Sequence, residues 1–294
     1  MMSTTVGCRT VEGLEPVSDE RIPLLVMYPS TGAEQAERFG PYTMSVRIDG
    51  PLAVGEFPLV VVSHGTGGSH LTHRMLGAHL ARNGYIVALP EHPRNNRNNN
   101  ELAGSATILA NRPRHVHSVI DWIHADDTLG QSLTRDCVAV IGHSLGGYTA
   151  LAIAGGCPTS FPYESADGQS YAIEVTPDAR VKSLILLAPA TRWFMATGAL
   201  ENVRLPLLMF TGDTDLHANA MHAAIVKQRI GDLSLVEHRV VEGAGHFSFL
   251  SPFPPEMTNP GFSPSQDPAG FDRARFHEQL YVGIVEFLDR TLTR

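Results

Sequence analysis

Residues 137–148, Cys137-Val138-Ala139-Val140-Ile141-Gly142-His143-Ser144-Leu145-Gly146-Gly147-Tyr148, constrain this chain more than any other stretch. The short apolar run, rich in β-branched residues, reads as a buried strand. A Gly-His-Ser-Leu-Gly-Gly turn follows. Then Tyr148-Thr149-Ala150-Leu151-Ala152-Ile153-Ala154 has a helical composition closed by Gly155-Gly156. Strand, G-x-S-x-G and helix, in that order, put a serine on a strained turn from which its hydroxyl projects beyond a sheet edge. Gly142 and Gly146 belong to such a turn because any side chain there would collide with the neighbouring strand or helix.

The rest of the chain supplies the sheet. From Phe57 onward strands alternate with helices. Strands are expected at 58–62, 85–89, 181–188, 205–211 and 235–241, and helices at 71–83, 112–126, 218–230 and 271–292. The helix at 112–126 has Pro113 near its first turn and an apolar stripe of Val116, Val119, Ile120 and Ile123. Before Phe57, residues 24–28 and 43–48 read as antiparallel strands at one edge, joined by a polar loop over 29–40. Residues 156–180, punctuated by Pro158, Pro162, Gly168 and Pro177, interrupt the alternation as an insertion that could form a lid. There is no internal repeat and no linker, so one domain over 1–294 is expected. Its class is α/β: a mostly parallel central sheet with helices on both faces and N-terminal antiparallel strands.

Composition narrows the function. At 294 residues, 43% hydrophobic and 18% charged, the chain can bury a sizeable core. A net charge of -8 gives no footprint for nucleic acid. Cys8, Cys137 and Cys157 form no disulfide framework. Residues 1–16 lack the apolar core of a signal peptide, and no run approaches the roughly 20 apolar residues of a membrane span, so a cytoplasmic location is expected. His64, His70, His73 and His79 cluster in sequence, but no H-E-x-x-H occurs and no acid sits at ligand spacing. They read as helix-surface and loop histidines, and neither metal nor other cofactor is expected.

A serine nucleophile needs a base, an acid that orients the base, and donors for a tetrahedral oxyanion. Candidates appear in the order serine, acid, histidine, each just past a strand. His246 follows the last strand in Gly243-Ala244-Gly245-His246, where small residues leave the backbone free to carry the imidazole over the serine. Asp213 and Asp215 both follow the strand at 205–211. Asp215 is the preferred acid, since a Gly-x-x-Asp turn returns its carboxylate toward the site, while Asp213 suits local backbone hydrogen bonds. The oxyanion donors are expected to be the N–H groups of Leu145 and Thr66, the latter within His64-Gly65-Thr66-Gly67-Gly68. Candidate pocket residues are Phe161 and Tyr163 in the insertion, Trp193 and Phe194 after a strand, and Leu216 beside the acid.

Together Ser63–Gly68, Asn83–Ala88, Glu91–Pro93, Gly142–Gly147, Gly212–Asp215 and Gly243–Phe247 resemble the α/β-hydrolase superfamily. More narrowly they resemble its dienelactone-hydrolase-like branch, which includes the platelet-activating-factor acetylhydrolases. The resemblance implies the α/β-hydrolase fold and a serine esterase acting on small-molecule esters or lactones with short acyl groups. Dienelactone hydrolases proper use cysteine where this chain has Ser144, which favours ordinary carboxylic esters. A serine peptidase or an acyltransferase would use the same three residues. A non-catalytic binding protein on this fold is the alternative of a different class.

Overall fold

The continuous apolar runs become the central strands of a ten-stranded sheet in a computed structural model that describes residues 5–292. The strands are β1 (Thr5–Glu15), β2 (Glu20–Ser30), β3 (Gln35–Phe39), β4 (Tyr42–Ile48), β5 (Phe57–Ser63), β6 (Ile86–Pro90), β7 (Leu133–His143), β8 (Val181–Leu187), β9 (Leu207–Gly212) and β10 (Val236–Val241). The helices are α1 (Arg74–Arg82), α2 (Ala106–Ala125), α3 (Leu145–Ile153), α4 (Ala220–Arg229) and α5 (Arg273–Thr291). Across the sheet the order is β10-β9-β8-β7-β5-β6-β2-β1-β4-β3. Strands β5 to β10 pair in parallel, and β2 joins β6 antiparallel. This is the α/β-hydrolase arrangement, a mostly parallel sheet with an antiparallel N-terminal edge.

Alternation along each strand splits the core into two layers. In β7, Val138 and Val140 face α2, α3 and α4, where Val116, Ile120, Leu151 and Val226 meet them. Cys137, Ala139 and Ile141 face α1 and α5, against Leu76, Leu80, Ile284 and Phe287. Burying each Val, Ile, Leu or Phe contributes about 1.5–3 kcal/mol, so the strand that carries Ser144 is anchored from both sides.

Three elements differ from the sequence expectation. β1 pairs with β2 along its whole length, from Thr5 opposite Ser30 to Glu15 opposite Glu20, but its second half buries Gly13 and Glu15 and exposes Leu14, so polarity does not mark it as a strand. β3 lies inside the expected loop at 29–40; its side chains are exposed or half-buried, so it has no apolar period to read. α2 starts at Ala106, not 112, because Ser105 caps it by accepting a hydrogen bond from the Ile108 N–H at 3.3 Å.

That earlier start puts Pro113 in a helix interior. Proline has no N–H to give the carbonyl four residues back, which belongs to Leu109. The buried Tyr148 hydroxyl of α3 donates to that carbonyl instead, at 3.0 Å. The vacancy left by Pro113 thereby ties α2 to the helix that follows Ser144. Tyr148→Phe is expected to cost about 1–2 kcal/mol in urea unfolding. In a Pro113→Ala background, where the carbonyl regains a helical donor, the same change should cost less than half as much. Equal costs in the two backgrounds would refute the substitution of one donor for the other.

Candidate active site

Ser144 sits between β7 and α3 with φ 54° and ψ −118°, a conformation that non-glycine residues seldom adopt. Three backbone bonds hold it there. Its N–H donates to the Leu187 carbonyl at 3.1 Å, and its carbonyl accepts from Gly147 at 2.9 Å and Ala190 at 2.8 Å. The flanking glycines have no alternative: a Cβ on Gly142 would lie 2.0 Å from the Gly146 carbonyl oxygen, and one on Gly146 would lie 1.9 Å from that of Ser63.

Beyond β10, the Gly243–Gly245 turn leads into a short 3-10 segment, His246–Phe249. His246 Nε2 lies 3.0 Å from Ser144 Oγ, and its Nδ1 lies 2.8 Å from Asp215 Oδ2. With Nδ1–H donating to the carboxylate, Nε2 is left to accept the serine proton. The other Asp215 oxygen accepts the N–H groups of His217 at 2.7 Å and Ala218 at 2.8 Å. Burial alone would raise the Asp215 pKa. The bond to His246, its charge and the two amides outweigh burial and hold the pKa below the ordinary carboxylate value.

Of the two aspartates, it is Asp215 that meets His246. Asp213 does not make the local bond expected of it: it accepts the N–H of Gly243 at 2.7 Å, across to the histidine loop. Thr214 Oγ1 donates to the Ala244 carbonyl at 2.8 Å, a second tie to that loop. His143, before the serine, donates from Nε2 to the His246 carbonyl at 3.0 Å. Burial holds its pKa well below the ordinary histidine value, so it serves this bond as a neutral ring.

Ser144 and His246 open on a cavity of about 210 Å³ that Thr66 and Leu145 also line. Of the five expected pocket residues, Trp193 lines it and four do not. Phe194 is 0% exposed and stacks on Tyr148 in the core. Leu216 is 91% exposed, because the turn that aims Asp215 inward sends its neighbour outward. Phe161 and Tyr163 stay off the cavity wall, stack on each other at 5.5 Å and pack against the Arg192 guanidinium. The insertion contributes Glu164 instead, whose buried carboxylate accepts from Trp193 Nε1 at 2.9 and 3.0 Å and from the Phe161 N–H at 2.8 Å. Ile108, Leu109, Arg192, His217 and His222 also line the cavity. Ile108 and Leu109 escaped notice because they fell before the expected start of α2.

Of the early histidines, His64, His70 and His73 lie in loops and turns and His79 on α1, as expected, but not all of them face solvent. His64 and His73 are buried, and His70 bonds Glu91 at 2.9 Å. Among the described residues, no group of three or more His, Cys, Asp and Glu side chains could hold a metal ion. A larger cavity of about 1210 Å³ lies across α2, lined by Pro113, Trp122, Cys157 and Ile173, but it contains neither Ser144 nor His246. Size alone therefore does not locate the chemistry. Nor is any described helix long and apolar enough to cross a membrane.

Comparison with known proteins follows this geometry. A ferulic acid esterase from Streptomyces cinnamoneus superposes with a TM-score of 0.69 over 99% of this chain and 90% of that one, at 17% identity, a likeness of fold. A platelet-activating factor acetylhydrolase from Canis lupus familiaris is 28% identical over a match covering 38% of this chain and 35% of that protein. The chain thus spans about a third of the length of this curated relative. The fold and sequence together place it in the α/β-hydrolase superfamily. Residues 28–178, just over half of the 294-residue chain, match the family model described as Chlorophyllase, and the chain belongs to the chlorophyllase family.

The lowered Asp215 pKa has a defined sign in stability. Its stabilisation is fully present above the unfolded value, about 3.9, and is lost as pH falls through the lower folded value. As the carboxylate titrates below about pH 4, the urea midpoint of wild type should fall relative to that of Asp215→Asn. A difference that holds constant from about pH 5 down to about pH 2 contradicts this.

Proposed function

We propose that the chain is a serine carboxylic ester hydrolase that acts through an acyl-enzyme on short-acyl, small-molecule esters or lactones. The observation that carries this reading is the unbroken hydrogen-bond line from Asp215 through His246 to Ser144 at one small cavity. Two relatives whose names state ester or acetyl hydrolysis agree with it.

In the proposed cycle Ser144 Oγ attacks the ester carbonyl while His246 Nε2 takes its proton. The carbonyl π electrons move to oxygen, and the N–H groups of Thr66 and Leu145 hold the resulting oxyanion. Collapse expels the alcohol, which receives the proton from His246 and leaves an acyl-Ser144 ester. Water, deprotonated by His246, repeats the attack and releases the acid. Asp215 orients His246 and stabilises its charged form. Within a single domain, the insertion at 156–180 contributes Glu164 to the cavity wall, joined to Trp193.

Ser144→Ala and His246→Ala should each remove nearly all turnover of p-nitrophenyl esters while leaving the fold intact by circular dichroism. Either variant at wild-type rate would remove the assignment. Asp215→Asn, which favours the wrong imidazole tautomer, should lower kcat by about 10⁴. In a series from acetate to palmitate, wild-type turnover should peak at short acyl chains, as the 210 Å³ cavity requires; a peak at palmitate would argue against that cavity as the acyl site.

A further inference from the structure

Arg112 of α2 is 0% exposed and is the bulkiest side chain so deeply buried. Its Nε donates to Thr149 Oγ1 at 3.0 Å, its Nη1 to Asn95 Oδ1 at 2.7 Å, and its Nη2 to Ser63 Oγ at 3.3 Å and to the His64 carbonyl. All four acceptors are neutral. Among the described residues no carboxylate pairs with it. An unpaired buried charge is among the costliest features a fold can retain. The neighbouring imidazoles offer no compensation: burial and the Arg112 charge both hold His64 and His92 well below the ordinary histidine pKa. Burial pushes Arg112 itself down to about 9, which leaves it protonated at neutral pH.

The bonds of this cation converge on one place. Through Nη2 it fixes the carbonyl of His64, two residues before Thr66. Through Nε it fixes Thr149, whose hydroxyl donates to the Leu145 carbonyl at 3.0 Å. One guanidinium thus braces both segments that carry the proposed oxyanion donors. We propose that Arg112 is the positioning residue of the oxyanion pocket, and that the counter-charge missing from its surroundings is supplied by the negative charge that develops on the substrate carbonyl oxygen. A fixed positive charge in a dry interior acts most strongly on charge that appears only during reaction. The inference rests on the Ser144 mechanism above.

Asn95→Asp tests it without removing the arginine. The change is nearly isosteric, keeps the acceptor for Nη1 and adds a carboxylate beside the guanidinium. The exposed Asn100 amide, which now accepts from Asn95 Nδ2 at 2.8 Å, can turn to donate. The expected result on p-nitrophenyl acetate is a kcat roughly 10–100-fold lower with KM changed little. Affinity for a trifluoromethyl ketone, which adds Ser144 to form an anionic hemiketal, should fall by the same factor, while the thermal midpoint is unchanged or higher. A role confined to structure predicts the opposite: a stable variant with wild-type kcat and ketone affinity, which overturns the proposal. Arg112→Gln, which removes the charge, is read by the same two measurements should Asn95→Asp unfold the chain. Labelling of wild-type Ser144 by a serine-reactive phosphonate separates the two failures. Without labelling or ester turnover the mechanism itself falls; with both, and a variant like wild type, only the role of Arg112 falls.

Discussion

The backbone of Ser144 cannot hold a positive φ unaided, and its retention depends on bonds from three directions. Leu187 comes from the end of β8, Ala190 from the segment that follows it, and Gly147 from the first turn of α3. Each partner is placed by the sheet or by the helix packed on it, so the strain at one residue is distributed over the best-buried part of the molecule. The same crowding explains Gly146. Its α-carbon lies so close to the Ser63 carbonyl that the helix after Ser144 and the strand beside it share one surface. Gly65 repeats this: a Cβ there would come within 3.0 Å of Ser144 Cβ, so the loop carrying Thr66 rests directly on the serine.

Behind this contact lies a polar layer unusual for a protein interior. Ser63 Oγ and His92 Nε2 are 2.8 Å apart, His92 and His115 face each other through their Nδ1 atoms at 3.2 Å, and Arg112 sits among them. His64 donates from Nδ1 to the Gly65 carbonyl at 2.6 Å and accepts from the His92 N–H at 3.1 Å, which settles its tautomer. Hydrogen bonds of this kind strengthen one another where water is absent, and they make the loop beneath the cavity a rigid body.

What could be read from residue order follows from what each part is buried against. β5 to β9 lie inside the sheet and each carries a continuous apolar run, such as residues 138–141 in β7 and 184–187 in β8, so those runs announce them. The elbow is legible because collisions at Gly142 and Gly146 allow no other residue. β3 is paired only through its backbone and leaves no mark in its side chains. Arg112 was legible in retrospect: it stands four residues before Val116, on the apolar stripe of α2, where a charge has no ordinary place. Of the expected pocket aromatics Trp193 lines the cavity and three do not, because hydrophobicity does not distinguish a cavity wall from a core. Phe194 went to the core, Phe161 and Tyr163 found each other, and a carboxylate, Glu164, took the wall.

The two ties between the loop of Asp215 and the loop of His246 bear on how this centre tolerates motion. Asp213 grips Gly243 and Thr214 grips Ala244, so the segments after β9 and β10 are stitched together beside the Asp215–His246 pair. β10 is an outer strand of the sheet, paired on one side only, to β9. Because the stitching travels with it, displacement of that edge carries carboxylate and imidazole as one rigid cartridge and preserves their 2.8 Å contact. The cartridge is in turn joined to the serine side by His143, whose Nε2 donates to the His246 carbonyl, so the 3.0 Å gap from His246 to Ser144 is held by a bond beside it.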